Sequence, residues 1–78
     1  MNATTRAIID RLPKKPLLAP ADVSAAYGLA SAGPIIADIK LGRLDANAIN
    51  GRYIISREAA EAYVIANEYT PEEGEIRK

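Results

Sequence analysis

Lys14, Lys15, Lys40, Arg43, Arg52 and Arg57 are the side chains best suited to do chemistry in this chain, and that chemistry is the holding of an anion. Ammonium groups grip phosphate oxygens as point charges, and guanidinium groups grip them as two-pronged forks. Arg6 and Arg11 precede them, so residues 1–57 carry eight basic side chains against Asp10, Asp22, Asp38 and Asp45. Residues 58–78 reverse the balance, with Arg77 and Lys78 against Glu58, Glu61, Glu68, Glu72, Glu73 and Glu75. The chain is formally neutral, yet it reads as a basic body with an acidic tail. That polarity suits an anionic partner for the body and a basic neighbour for the tail.

Other chemistries are poorly provided for. The chain has no Cys and no His, which removes disulfides, thiolate nucleophiles and the usual zinc sites. Its Ser and Asp residues fall in no catalytic spacing. Neither an enzyme, nor a bound metal, nor a cofactor is expected. Seventy-eight residues make one small domain near the lower limit for an independent core. No apolar run follows a basic N-terminal region as in a signal peptide. Ala25–Ala37 is interrupted by Gly28, Ser31, Gly33 and Pro34 and is too short to span a bilayer. The expectation is a soluble intracellular protein with no membrane partner.

The basic residues must be positioned by elements, and the clearest is a hairpin. Asn50-Gly51 suits a type I′ turn, which needs positive φ at both central residues. Folding about it pairs Ile49 with Arg52, Ala48 with Tyr53, Asn47 with Ile54 and Ala46 with Ile55. Because side chains alternate along a strand, one face carries Leu44, Ala46, Ala48, Tyr53 and Ile55. The other carries Asp45, Asn47, Ile49, Arg52 and Ile54. A lone hairpin is marginal in water, so its neighbours must pack against it.

Those neighbours read as helices. Residues 1–16 form an arm or a short helix, with Thr5 as cap for Arg6–Leu12 and Ile8, Ile9 and Leu12 as its docking side; Pro13 and Pro16 end it. Leu17–Gly28 reads as a helix with Pro20 in its first turn, a Val23, Ala26, Tyr27 stripe, and Gly28 in the left-handed position beyond its end. Ser31 is the expected N-cap of the next helix, which has Pro34 in its first turn, Ile35, Ile36 and Ile39 on its buried side, and Gly42 as its stop. Ser56 caps a last helix from Arg57 to about Tyr69, with Ala59, Ala60, Tyr63, Val64 and Ala66 as its apolar side. Tyr27, Tyr53 and Tyr63 are expected in the core. Residues 70–78, charged and interrupted by Pro71 and Gly74, read as a disordered tail. Two short helices joined by a Gly-containing turn match the helix-turn-helix motif, within residues 17–69.

The ordered set of Pro20-Ala21-Asp22-Val23, Tyr27-Gly28-Leu29, Gly42-Arg43-Leu44, Asn50-Gly51-Arg52-Tyr53-Ile54-Ile55 and Ser56-Arg57-Glu58-Ala59 resembles the excisionase and AlpA-like branch of the MerR-like winged helix-turn-helix family. The resemblance covers about residues 17–67. It implies an α+β winged helix-turn-helix fold, with the second helix in the major groove of double-stranded DNA and the hairpin as a wing on the backbone. It also implies an architectural protein, an excisionase or recombination directionality factor, that turns a tyrosine or serine integrase toward excision. An AlpA-like transcription regulator is the alternative within the family. Either would work in the cytoplasm at the nucleoid of a prokaryote or in a phage infection.

Three departures bear on the site. The Gly28–Gly42 stretch is one residue longer than the family pattern, and Ala32-Gly33-Pro34 replaces a polar, arginine-bearing helix start. Asp38 stands where an apolar or basic residue is common, and Ile54 where a basic one is frequent. The second helix therefore offers little for base readout. What remains is phosphate binding at its N-terminus through Ser31, Ala32 and Gly33, and contacts from Lys14, Lys15, Lys40, Arg43, Arg57 and the hairpin tip Asn50-Gly51-Arg52. Asp38 is either a surface carboxylate or an acceptor for cytosine. Ile49 and Ile54, on the open hairpin face, suggest head-to-tail self-association, with the acidic tail of Glu72, Glu73 and Glu75, or the last helix, meeting the basic wing side of the next protomer. A module that kept the fold and binds protein instead of DNA is the reading from another class.

Overall fold

The computed structural model describes residues 1–69, so Glu72, Glu73, Glu75 and the expected tail lie outside the described residues. The first helix, α1 (Ala3–Arg11), is capped by Asn2, whose side chain accepts from the Thr5 backbone N–H at 2.8 Å. Thr5 is therefore not the cap. Its hydroxyl is buried and donates to Glu68 Oε1 at 2.7 Å, a partner 63 residues away. The residue before Pro13, Leu12, turns to an extended conformation as a pre-proline residue must. Its side chain enters the core, with Ile8 and Ile9 packed against it. The 1–16 segment thus takes its helical form, docked on the rest of the chain.

Leu17 and Leu18 form a short strand, β1 (Leu17–Leu18), rather than the start of a helix. Helix α2 (Pro20–Ala26) begins after it, with Pro in its first turn and Asp22 accepting from the Ala19 N–H at 2.9 Å. At its end Gly28 takes φ 75°. The Gly28 N–H donates to Ala25 O and the Leu29 N–H to Ser24 O, each at 3.0 Å, which is the paired Schellman arrangement.

Helix α3 (Gly33–Lys40) has Ala32 at its N-cap and no side-chain cap, which corrects the expectation for Ser31. The Ser31 carbonyl instead accepts from the buried Ser24 hydroxyl at 2.6 Å, tying the connection to α2. The helix ends like α2, with Gly42 at φ 78°, the Gly42 N–H on Ile39 O and the Arg43 N–H on Asp38 O.

Strands β2 (Asn47–Ile49) and β3 (Arg52–Ser56) pair antiparallel as Asn47 with Ile54, Ala48 with Tyr53 and Ile49 with Arg52. Asn50 and Gly51 both take positive φ, 51° and 76°, as a type I′ turn demands. The fourth expected pair, Ala46 with Ile55, is not formed, because β2 begins at Asn47; on its other edge β3 pairs with β1, Ile55 with Leu18 and Ser56 with Leu17. The sheet order is β1-β3-β2, with β3 in the middle. Ser56 caps α4 (Arg57–Ala66) by accepting from the Ala59 N–H; the helix stops short of Tyr69.

The described residues thus form an α+β fold of four helices and a three-stranded antiparallel sheet. Its core is Leu12, Leu18, Val23, Ala26, Ile35, Leu44, Ile55, Ala60, Tyr63 and Val64. Each fully buried Val, Leu or Ile contributes roughly 1.5–3 kcal/mol; they come from α2, α3 and α4, from β1 and β3, and from Leu12 just after α1 and Leu44 just before β2. Among the described residues no helix is long and apolar enough to cross a membrane.

Candidate nucleic-acid interface

The hairpin meets the core by its base and leaves its tip outside. Leu44 and Ile55 are buried and Ala46 and Tyr53 half-buried, while Ala48, Asn50, Gly51 and Arg52 are exposed. Between this tip, the start of α2 and the near flank of α3 runs an open groove of about 780 Å³. Of the residues singled out in the sequence, Ala32, Ile49, Asn50, Gly51, Arg52 and Ile54 line it together. Among the described residues, Arg52 is the one charged residue along its walls.

The groove also uses residues that the sequence pattern did not assign to a site. Leu17 lines it at 58% exposure, and its place follows from pairing with Ser56, which no local signal marks. Ile36, expected on the buried side of its helix, is half-buried and lines the groove, whereas Ile35 is fully buried. The signal was present: Ile35 and Ile39 form an i, i+4 stripe, and Ile36 falls on its flank.

The other basic residues are distributed differently. Lys14, Lys15 and Lys40 are exposed, Lys15 within 3.7 Å of Asp22. Ser31 and Gly33 are exposed at the entry to α3, and no side-chain acceptor covers that helix's first turn. Arg43 lies 3.7 Å from Asp38, with its side chain 69% exposed. Asp38 is held from two sides, because its other oxygen accepts from the Tyr63 hydroxyl at 2.5 Å. That engagement joins α3 to α4 and leaves the carboxylate poorly placed to accept from cytosine. Burial and the adjacent Asp38 carboxylate push the Tyr63 pKa well above its usual range.

Arg57 is committed inside the fold. Its Nε donates to Pro13 O at 3.1 Å, its Nη2 donates to Ile9 O at 3.3 Å, and its Nη1 pairs with Glu61 one turn along α4. The guanidinium satisfies the end of α1 and the turn after it, which removes Arg57 from the group of free cations. Arg11, never assigned to the site, plays a similar part by donating to Ala25 O at the end of α2.

The arrangement can hold a phosphate at Arg52 and present an apolar wall beside it. Comparison with family models, with curated proteins and with solved structures gave no match.

Proposed function

We propose that this chain is a winged helix-turn-helix protein that binds double-stranded DNA, with α2 and α3 as the helix-turn-helix and the β2–β3 hairpin as the wing. In this reading it is an architectural factor of the excisionase type, which steers an integrase toward excision of a mobile element. The observation that carries the reading is the shared groove, where Ala32 and Ile36 of α3 face Asn50, Gly51 and Arg52 of the hairpin. A helix set in the major groove beside a hairpin on the adjoining backbone needs that juxtaposition. Lys14, Lys15, Lys40 and Arg43 extend the phosphate contacts beyond Arg52, and Arg57 is left out of the set.

Five such cations predict that log K falls against log salt with a slope of roughly −4 to −5. Base specificity is modest, and cooperation between copies supplies the rest, with Ile49 (57% exposed) and Ile54 on the protomer contact. A strictly monomeric light-scattering profile, free and on a multi-site fragment, would remove the protomer contact. An AlpA-like regulator would use the same surface; loss of excision on deleting the chain beside its integrase separates the two.

Gel shifts on duplex DNA across a salt titration test the DNA reading. A salt-sensitive shift that weakens in Arg52→Ala supports it. No salt-sensitive shift on any duplex favours the second reading, a protein-docking module, for which the apolar lining of the groove speaks.

A further inference from the structure

The side of α3 turned away from the core carries almost no hydrogen-bonding chemistry. Gly33, Pro34, Ala37 and Lys40 are exposed along it, with Ile36 half-buried on the flank toward the hairpin. The helix has two polar side chains, Asp38 and Lys40. Asp38 is occupied by Tyr63 and Arg43, and Lys40 stands in the last turn. Bidentate Arg, Asn or Gln, which read guanine and adenine in the major groove, are missing from the helix.

One base feature in the major groove needs neither donor nor acceptor: the C5-methyl group of thymine, which is met by apolar side chains. The groove beside α3 suits it. Ala32 and Ile36 give it an alkyl wall on the helix side, Arg52 gives it a cation, and among the described residues no carboxylate lines it. A ligand that bears phosphate and projects methyl groups satisfies both parts at once, the guanidinium by a charge-assisted contact and the alkyl wall by removing the methyl from water.

We infer that α3 reads DNA through thymine methyl groups, with Ala32, Ile36 and Ala37 as the contact surface and Arg52 fixing the adjoining phosphate. This rests on the DNA-binding reading and names the base feature it recognises. Substrates are therefore duplexes that present thymine in the major groove, and 5-methylcytosine substitutes for it in part.

The test compares four alternating duplexes by fluorescence anisotropy across a salt titration. Poly(dA-dT) and poly(dA-dU) differ by the methyl group, and poly(dI-dC) and its 5-methylcytosine counterpart differ in the same way. Each buried methyl is expected to change affinity about 3- to 5-fold, so loss of two contacts weakens binding on the order of tenfold, with the salt slope unchanged. In Ala37→Ser, an exposed substitution with no core to disturb, and in Ile36→Ala, the preference for the methylated duplex narrows while the slope stays. Salt-sensitive binding that is equal with and without the methyl overturns this inference and leaves the proposed function standing. Absence of salt-sensitive binding to all four duplexes overturns the proposed function itself.

Discussion

The Tyr63 hydroxyl donates to Asp38 Oδ2 at 2.5 Å and so fastens α4 to α3, the helix whose flank lines the groove. A hydrogen bond to a charged acceptor contributes about 1.5–3 kcal/mol. Tyr63→Phe is therefore expected to lose about that much in urea unfolding at neutral pH. The same contact has a pH signature. The folded-state pKa of Tyr63 is raised above its usual 10.0, by burial first and by Asp38 second. The associated stability is complete below pH 10 and declines as pH rises beyond it, because the unfolded chain ionises first. Stability against pH should fall more steeply above pH 10 in the native chain than in Tyr63→Phe.

Arg52 and Arg57 separate binding from folding. Arg52 is exposed at the hairpin tip, and Arg52→Ala should leave the urea midpoint unchanged while lowering the salt slope for DNA by roughly 0.9. Arg57 bonds two carbonyls and Glu61. Arg57→Ala should cost about 1–3 kcal/mol of stability and, in the folded fraction, leave the salt slope as it was.

Gly51 sits at φ 76°, and a Cβ there would meet no atom within 4 Å. The penalty of Gly51→Ala is thus one of backbone conformation alone, about 1–2 kcal/mol. Urea unfolding measures it, and a cost near zero would mean that the turn relaxes to another type.

Glu68 accepts from the Asn2 N–H at 2.6 Å and from the Thr5 hydroxyl, and these bonds hold its pKa below the ordinary glutamate value, the Asn2 bond most of all. A lowered folded-state pKa gives stability that is present above the ordinary glutamate range and is lost as pH falls through the lowered value. In Glu68→Gln the acid-side decline of stability should be shallower, and stability at neutral pH lower, in a pH series of thermal melts.

What could be read from the sequence followed from short-range physics. Asn50-Gly51 and the alternation around it specified three strand pairs correctly, and Gly28 and Gly42 marked both helix ends because only a residue at ease with positive φ closes them. Misreadings arose where packing decides. Ser31 does not cap because α3 starts at Gly33 with Ala32 in the cap position, while the Ser31 carbonyl takes the Ser24 hydroxyl. Thr5 does not cap because Glu68 takes its hydroxyl, and Asn2 is left to do so. Leu17 and Leu18 are a strand only because Ser56 and Ile55 stand opposite. For the site, charge and spacing located Arg52 at a hairpin tip but also nominated Arg57, whose partners Ile9 and Pro13 arrive from another helix and its following turn. The alkyl character of the groove was divided among Ile49 and Ile54, which the pattern showed, Ile36, whose place on the flank of its helix the spacing carried, and Leu17, which only the pairing of strand on strand brings there.

The bond between the Asn2 backbone and Glu68 also makes the described fold a nearly closed ring of chain. A short linker from residue 68 back to residue 2 would span little more than the reach of a glutamate side chain, so new ends opened at the exposed Ala30, between α2 and α3, should give a circular permutant that folds. By the same closeness, the unit can be grafted into a surface loop of another protein without prising that loop apart.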